Sequence, residues 1–319
     1  MIRLGTSDAD LKRAAEFLAR GELVAVPTET VYGLAADATD PHAVRRIFAA
    51  KGRPIDHPLI VHLPGVEAMD QWAAEVPESA RRLSRAFWPG PLTLILPRAE
   101  QVPNEVTGGQ ETVGLRVPGH SVTLRLLKLL GRAVAAPSAN RFGRISPTTA
   151  EHVVSEFQGR DSVAAVIDGG ACEVGVESTI VDCTGDHARV LRPGMIGLEQ
   201  LSQVLGEPPV LANESEGPRT AGRLPSHYAP ETRVELVDAG VLQEPDPAAA
   251  VLALDGTRDP GGFKAWQSLP AEPGAYARGL YAALRRLDQV GAARILIQHP
   301  PRETGWIALH DRLVRAASH

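Results

Sequence analysis

The sequence predicts a mixed α/β protein, with an α+β-like twisted mixed sheet followed by a second, smaller α/β unit. Short apolar runs typical of buried strands recur along the chain, and helical patterns separate them without strict alternation. Residues 206–230 are rich in proline and glycine and show little periodicity, which indicates a linker. A new set of strand and helix patterns follows. We therefore predict a first domain at 1–205, a linker at 206–230 and a small domain at 231–319.

The composition is that of a globular protein. The chain has 319 residues, of which 44% are hydrophobic and 22% charged, with a formal net charge of −5. This charge gives no general attraction to nucleic acid or to an anionic membrane. The two cysteines, Cys172 and Cys183, argue against a disulfide framework. Because no signal segment and no membrane-length apolar run is visible, we expect a cytoplasmic protein without a membrane partner.

The first elements are predicted from capping residues and apolar periodicity. Residues 6–20 have the pattern of an amphipathic helix, and the apolar run 23–27 (LVAVP) that of a buried strand. A polar turn with Thr28, Glu29 and Thr30 follows that strand. Asp40 then caps a helix that begins at Pro41 and ends at Lys51–Gly52.

The remaining elements follow from the same signals. In the first domain we predict strands at 58–63, 91–97, 112–118, 134–137, 163–167, 178–183 and 188–191, helices at 77–87, 121–130 and 197–205 and after a cap at Ser146, and a loop at 104–110. Strand alternation places Thr112 and Arg116 on one face. In the second domain we predict strands at 233–237, 249–254 and 294–298, and helices at 275–290 and 304–316.

Several well-known site motifs are absent from the sequence. It contains neither a P-loop nor a G-x-G-x-x-G fingerprint, so phosphate would have to be held in another way. The absence of H-E-x-x-H and of paired Cys-x-x-Cys argues against a protein-held zinc ion, and no G-x-S-x-G elbow indicates a nucleophilic serine.

Cationic and hydroxyl side chains instead recur at predicted strand ends and turns. They are Lys51, Arg53, Arg116, Ser138, Asn140, Ser146, Ser178 and Arg192. Arginine binds phosphate or carboxylate through two parallel hydrogen bonds, and lysine supplies a compact charge. Phosphoryl and nucleotidyl transfer need mainly positioning and charge neutralisation. Each residue alone also has an ordinary explanation: Lys51 suits a helix C-terminus, and Ser138 and Ser146 suit caps.

A family resemblance strengthens the functional interpretation. The blocks PTETVYGL, KGRP, TVGLRVP, APSAN, GVESTIVD and LRPG occur in that order, and together they resemble the YrdC family of threonylcarbamoyl-AMP synthases over residues 6–205. HYAP at the end of the linker, with an α/β unit after it, is similar to the long form of these enzymes. The resemblance implies a YrdC-like first domain, a linker that lies over the active site and a Rossmann-like second domain.

The resemblance also implies the reaction and its site. L-Threonine, bicarbonate or CO2, and ATP would give L-threonylcarbamoyladenylate and pyrophosphate, for N6-threonylcarbamoyladenosine modification of tRNA. Mg²⁺ would come with the ATP phosphates and not from protein ligands.

By position, threonine would be held by Thr30, His62, Arg116 and Ser178. ATP would be held by Lys51, Arg53, His57, Thr112, Ser138, Asn140, Ser146, Arg192 and Tyr228, with Lys51 and Arg53 as the catalytic pair. His57 stands where the family usually has asparagine. Expected partners are downstream tRNA threonylcarbamoyl-transfer proteins, with a weak contact to tRNA itself.

Two alternatives remain open from the sequence. A non-enzymatic RNA-binding protein could use Arg45, Arg46, Lys51 and Arg53 as a basic surface, although the net charge is −5 and no RNP-like aromatic block occurs. A carbamoyl-transfer domain like that of hydrogenase maturation proteins would be expected with cysteine-rich zinc modules, and this chain has none.

Overall fold

The computed structural model describes residues 1–213, 216–222 and 227–318. Its strands form two sheets. The first sheet contains β1 (Ile2–Leu4), β2 (Val24–Val26), β3 (Gly33–Asp37), β4 (Ile60–His62), β5 (Leu92–Pro97), β6 (Thr112–Arg116), β7 (Val134–Ala135), β8 (Ala165–Ile167), β9 (Thr179–Asp182), β10 (Arg189–Arg192) and β11 (Val210–Leu211). The second contains β12 (Arg233–Val237), β13 (Ala249–Leu254), β14 (Ala265–Leu269) and β15 (Arg294–Gln298).

The first sheet is mixed, with strand order β1-β8-β2-β3-β7-β4-β6-β5-β9-β10-β11. β4 and β6 are parallel neighbours, and His62 pairs in register with Arg116. β9 runs parallel to β5 and antiparallel to β10. The second sheet, in order β12-β15-β13-β14, is entirely parallel. The predicted fold class, a mixed sheet followed by a smaller α/β unit, is confirmed.

The helices of the first unit cover both faces of its sheet. They are α1 (Asp8–Ala19), α2 (Pro41–Lys51), α3 (Glu78–Phe87), α4 (Asn104–Thr107), α5 (Ser121–Leu130), α6 (Ala150–Glu156) and α7 (Leu198–Leu205). The helices of the second unit are α8 (Pro273–Asp288) and α9 (Ile307–Ala317). Alternation along the strands divides the core: Val24 and Val26 pack in one cluster with α1 and α5, whereas Ala25 packs in another with α2.

Helix α2 shows how local chemistry fixes an element that carries site residues. The Asp40 side chain accepts a hydrogen bond from the His42 amide at 2.8 Å, and Pro41 is the first helical residue. Gly52 ends the helix with φ of 63°, in the left-handed region that favours glycine. The predicted start and end of this helix are confirmed, and Lys51 is thereby placed at its last turn.

The second unit packs its helices against one face of its sheet and against the first unit. Leu280 of α8 and Leu309 of α9 belong to the same apolar cluster as Ala250 and Leu252 of β13. Tyr228 of the linker is buried in that cluster as well. The two units therefore share one continuous apolar contact, with a linker residue inside it.

Some local predictions were wrong. The strand β3 was not predicted, and its sequence GLAAD has small residues and no clear alternation. Residues 104–107 form the short helix α4 inside the predicted loop 104–110. Helix α6 is capped by Thr149 and not by Ser146, whose hydroxyl binds a distant carboxylate. In the part of the chain that the structure describes, no helix is both long and apolar enough to cross a membrane.

Candidate active site

A pocket with about 660 Å³ of empty space, part of it open to solvent, lies against the first sheet beneath the linker. Ile60 and His62 are two residues apart on β4, so the pocket contacts one face of the sheet. The residues that line it are Thr28, Thr30, Val31, Gly33, Lys51, Arg53, Leu59, Ile60, His62, Arg116, Ala136, Pro137, Ser138, Asn140, Phe142, Gly143, Glu177, Ser178, Arg192, Ala221, Gly222, His227 and Tyr228.

Thr28 shapes the turn between β2 and β3. Its Oγ1 accepts hydrogen bonds from the amides of Thr30 and Val31, both at 3.2 Å, and lies 2.8 Å from the hydroxyl of Thr30. A threonine that caps its own turn in this way fixes the backbone of that turn. Thr30 is thus held with its hydroxyl next to the end of β6.

Arg116, the last residue of β6, is buried and donates in three directions. Its Nη2 donates to Glu29 Oε1 at 2.6 Å, its Nη1 to Thr30 Oγ1 at 3.0 Å, and its Nε to the Gly90 carbonyl at 3.2 Å. Burial alone would raise the pKa of the Glu29 carboxyl, but the charge and hydrogen bond of Arg116 hold that pKa below its usual value. The guanidinium is therefore fixed in position by protein groups.

His62 lies beside Arg116 and is buried. Burial, with the charge of Arg116, lowers the pKa of its imidazole to about 3. Its Nδ1 lies 3.3 Å from the carbonyl of Ile60. At neutral pH this side chain is an uncharged imidazole.

Lys51 and Arg53 bring two further buried cations to the pocket. Lys51 Nζ donates to the carbonyl of Ser138 at 2.6 Å and to that of Asn140. Burial, followed by the charge of Arg53, holds the pKa of Lys51 well below its usual value. Arg53 donates to the Pro58 carbonyl at 3.0 Å and lies 5.6 Å from the ring centroid of Phe142. Burial lowers the pKa of Arg53 to about 10.

Arg192, the last residue of β10, joins the sheet to the linker. Its Nη2 donates to the Ser178 carbonyl at 3.0 Å and to the Ser178 hydroxyl at 3.1 Å, and its Nη1 donates to the carbonyl of Ala221 at 3.0 Å. β9 and β10 are antiparallel, so the end of one lies beside the start of the other. This topology brings Ser178 and Arg192 together.

A row of aromatic rings extends from the 53–58 turn to the linker. Ring centroids lie 5.4 Å apart for His57 and Phe142, 6.3 Å for Phe142 and His227, and 4.1 Å for His227 and Tyr228. Burial lowers the pKa of His227 to about 3, so it is neutral at pH 7. Phe142, His227 and Tyr228 line the pocket, and Arg53 lies over the Phe142 ring.

The pocket has an excess of positive charge and unused polar atoms. Lys51, Arg53, Arg116 and Arg192 are all buried, and among the described lining residues Glu177 supplies the one carboxylate. Arg116 is paired with Glu29, which lies beside the pocket. Burying the other basic side chains without carboxylate partners is costly, so such a site favours an anionic ligand. In the described part of the chain, four lining residues also have a buried polar atom without a hydrogen-bond partner: Arg53 Nε, Asn140 Oδ1, His227 Nδ1 and Tyr228 Oη.

Ten of the predicted site residues line this pocket. They are Thr30, Lys51, Arg53, His62, Arg116, Ser138, Asn140, Ser178, Arg192 and Tyr228. His57 lies behind Phe142. Thr112 lines an adjoining cavity that shares Leu59, Ile60 and Ala221 with the pocket. Ser146 does not line the pocket: its hydroxyl donates to Glu177 Oε1 at 2.6 Å, inside the protein.

The sequence reasoning gave no role to four residues at or beside the site, Glu29, Phe142, Glu177 and His227. A carboxylate inside the apolar block GVESTIVD was a usable signal, because a charge there must be buried and paired. The basic surface of the RNA-binding alternative is not formed. Lys51 and Arg53 are buried, Arg45 pairs with Glu105 at 2.5 Å, and Arg46 donates to the Gly21 carbonyl at 2.8 Å.

Comparisons with known proteins agree with this geometry. Residues 16–194 match the Sua5–YciO–YrdC family, described as Telomere recombination, and residues 196–318 match the threonylcarbamoyl-AMP synthase C-terminal domain. A threonylcarbamoyl-AMP synthase of Pyrococcus abyssi is 40% identical, over 100% of this chain and 97% of the relative. One of Bacillus subtilis is 38% identical, over 98% and 94%. The crystal structure of P. abyssi Sua5 complexed with L-threonine superposes with a TM-score of 0.88 at 37% identity, covering 99% of this chain and 97% of that one.

Proposed function

Because the chain belongs to the Sua5–YciO–YrdC family and carries the synthase C-terminal domain, we infer that it is a threonylcarbamoyl-AMP synthase. Its reaction joins L-threonine, bicarbonate or CO2, and ATP into L-threonylcarbamoyladenylate and releases pyrophosphate. The observation that carries this inference is the pocket, in which the basic side chains of Lys51, Arg53, Arg116 and Arg192 are buried together and Glu177 is the one carboxylate among the described lining residues. A polyphosphate would neutralise that excess of positive charge.

The threonine end of the site is proposed at Thr30, His62, Arg116 and Ser178. Arg116 is the partner for the threonine carboxylate, and Glu29 and Gly90 keep its guanidinium in place for that contact. His62 is neutral, and its Nδ1 lies near a backbone carbonyl. We assign the proton to Nδ1, which leaves Nε2 to accept a hydrogen bond from the hydroxyl or amine of the substrate.

The ATP end is proposed at the remaining cations and the linker. Lys51 and Arg53, the proposed catalytic pair, and Arg192 would contact the phosphates, and Ser138 and Asn140 lie on the loop that Lys51 holds. His57, Thr112 and Tyr228 are proposed to border the nucleoside. Ser146 acts indirectly in this proposal, because its hydroxyl is bound to Glu177.

Magnesium is proposed to arrive with the ATP phosphates. Among the described residues, no group of three or more histidine, cysteine, aspartate or glutamate side chains is arranged to hold a metal ion. Both Glu177 oxygens already accept hydrogen bonds from protein groups. Mg²⁺ prefers phosphate oxygens and retained water, which suits a site that supplies cations and hydroxyls.

The proposed chemistry needs no covalent enzyme intermediate. The threonine amine attacks CO2 and loses a proton to solvent to give a carbamate. A carbamate oxygen then attacks the α-phosphorus of ATP, and the bond from that phosphorus to the bridging oxygen breaks to release pyrophosphate with Mg²⁺. The protein contributes proximity and charge stabilisation.

The wider setting is proposed from the family. The domain division 1–205, 206–230 and 231–319, the cytoplasmic location, the transfer of the product to downstream tRNA threonylcarbamoyl-transfer proteins and the weak contact with tRNA remain proposals. The linker block TAGRLPSHYAP is only partly covered, because residues 223–226 lie outside the described ones.

The test is pyrophosphate release from ATP and Mg²⁺, with threonine and bicarbonate added separately and together. We expect release that requires both. Release that ignores threonine would leave a nucleotide enzyme with another substrate. No release by a folded sample that binds tRNA would overturn the synthase proposal in favour of RNA binding.

A further inference from the structure

The Glu177 carboxylate joins the two units of the protein. It lies beside Ser178 at the start of β9 and is 7% exposed. Its Oε1 accepts from the Ser146 hydroxyl at 2.6 Å, and its Oε2 accepts from the Tyr281 hydroxyl at 2.9 Å and from Arg312 Nε at 2.8 Å. Tyr281 lies on α8 and Arg312 on α9, so two of the three donors come from the second unit.

Arg312 uses its whole guanidinium at this junction. Its side chain is 0% exposed. Besides Glu177, it donates from Nη1 to Asp311 Oδ2 at 2.5 Å and from Nη2 to the Pro193 carbonyl at 3.1 Å. Pro193 follows Arg192, which lines the pocket. Arg312 thus contacts the residue before Ser178, at the start of β9, and the residue after Arg192, at the end of β10.

The same guanidinium supports the linker. Its central carbon lies 5.1 Å from the ring centroid of Tyr228, which lines the pocket. The Tyr228 ring stacks on Tyr281, with centroids 5.9 Å apart. Tyr228 has a φ of 62°, a left-handed conformation that is unfavourable for tyrosine. Such a conformation persists only when the surroundings hold it, and here the surroundings include Arg312 and Tyr281.

We propose that Arg312 is a positioning residue for the synthase reaction: through Glu177, Pro193 and the face of Tyr228 it holds the Tyr228 side chain in place at the pocket. The kinetic part rests on the proposed function. In this proposal the second unit stabilises the position of Tyr228 through contacts made outside the pocket. Arg312 itself does not line the pocket and is not assigned a contact with substrate.

A merely stabilising ion pair would behave differently from a positioning residue. Loss of a stabilising pair lowers the melting temperature but leaves KM for ATP unchanged in the fraction that stays folded. Loss of a positioning contact changes KM and the exposure of the linker while the protein remains folded. The effect of such a loss on KM also does not add to the effect of losing Tyr228, because both substitutions release the same segment.

The test compares R312M with Val314→Ala, an exposed position on the same helix. Hydrogen exchange of the backbone amides of residues 227–229 is measured with and without ATP, and KM and kcat are measured by pyrophosphate release. We expect R312M to lose protection at 227–229 and to raise KM for ATP about tenfold, with a smaller change in kcat, and V314A to match the parent. R312M combined with Tyr228→Ala should be no worse than Y228A alone.

Unchanged protection of the amides at 227–229 in R312M, or multiplicative effects of R312M and Y228A on KM, would overturn the proposal. If R312M does not fold, R312K carries the same test. Lysine keeps a charge beside Glu177 but lacks the planar guanidinium that donates to Asp311 and Pro193 while it faces Tyr228. A parent protein that releases no pyrophosphate would contradict the proposed function, whereas the exchange measurement would still decide the role of Arg312.

Discussion

Gly222 packs directly against the hydroxyl of Tyr228, so closely that an added Cβ would overlap it. Gly222 has a φ of 84°, and the same Cβ would lie 3.0 Å from Arg192 Nη1. Tyr228 and Arg192 both line the pocket. The absence of a side chain at Gly222 therefore allows the Tyr228 hydroxyl and the Arg192 guanidinium to lie close together at the pocket.

We expect Gly222→Ala to displace Tyr228 and to weaken ATP binding about tenfold or more. The new methyl group would overlap the Tyr228 hydroxyl, and the positive φ of residue 222 is unfavourable for alanine. Isothermal titration with a non-hydrolysable ATP analogue measures the effect. Gly131→Ala is the matched control, since Gly131 also has a positive φ, 66°, but open space at its Cβ. Equal affinities for the two variants would contradict a role for the contact.

Arg116→Ala should abolish threonine binding and retain most ATP binding, because its proposed partner is the amino acid carboxylate. It should also cost about 3–5 kcal/mol of stability, since Glu29 would be left as a buried, unpaired charge. Calorimetry with each ligand and thermal unfolding measure the two effects.

The double substitution of Glu29→Gln with Arg116→Ala separates these effects. Removing the buried charge should recover part of the stability, while threonine binding stays lost. Simultaneous loss of threonine and ATP binding in folded Arg116→Ala would show that the proposed division of roles is wrong.

Arg192→Met should weaken ATP binding about 10- to 100-fold, because it removes a buried cation together with its hydrogen bonds to Ser178 and Ala221. Arg189→Met is the control on the same strand, where Arg189 is exposed. Equilibrium dialysis with labelled ATP measures both. An Arg192→Met protein with parental affinity would exclude a phosphate contact.

ATP binding should be accompanied by proton uptake at Lys51. Burial and Arg53 hold the pKa of Lys51 below its usual value, and a nearby polyphosphate should raise it again. Uptake should therefore occur at pH values between the lowered pKa of Lys51 in the free protein and its higher pKa in the complex. Calorimetry in buffers of different ionisation enthalpy measures it. Lys51→Met should lose the uptake, and Lys128→Met, at an exposed position, should keep it.

Acid should destabilise the protein through its buried neutral histidines. The pKa values of His62 and His227 are lowered to about 3 and that of His152 to about 4, mainly by burial. Since the unfolded chain binds these protons below about pH 6.5, stability falls as the pH drops from there towards 3. The pKa of the Glu177 carboxyl is lowered to about 2, so its contribution to stability is lost at lower pH.

Denaturant unfolding between pH 6 and pH 5 measures this dependence. Each fully shifted histidine contributes about 1.4 kcal/mol per pH unit, so His62→Gln should reduce the slope by about that amount. An unchanged slope would mean that His62 is not buried as a neutral imidazole.

Local signals in the sequence determined much of this protein. Capping and periodicity predicted α2 from Asp40 to Gly52, and short apolar runs predicted β5 and β13 within about two residues, because these signals act within one element. Ten of the residues that the family resemblance implied for the site line the pocket, and the family match confirms the resemblance itself.

The tertiary structure decided the connections between distant residues. Ser146 looked like a helix cap but binds Glu177, and Glu177 receives Arg312 from 135 positions further along the chain. The strand β3 forms because it pairs with β2 and β7, since its own sequence shows no clear alternation. The physical reason is the same in each case. Helix caps and apolar periodicity depend on near neighbours, whereas a buried charge is satisfied by whichever donors the folded chain brings within about 3 Å, and the order of residues does not encode that distance.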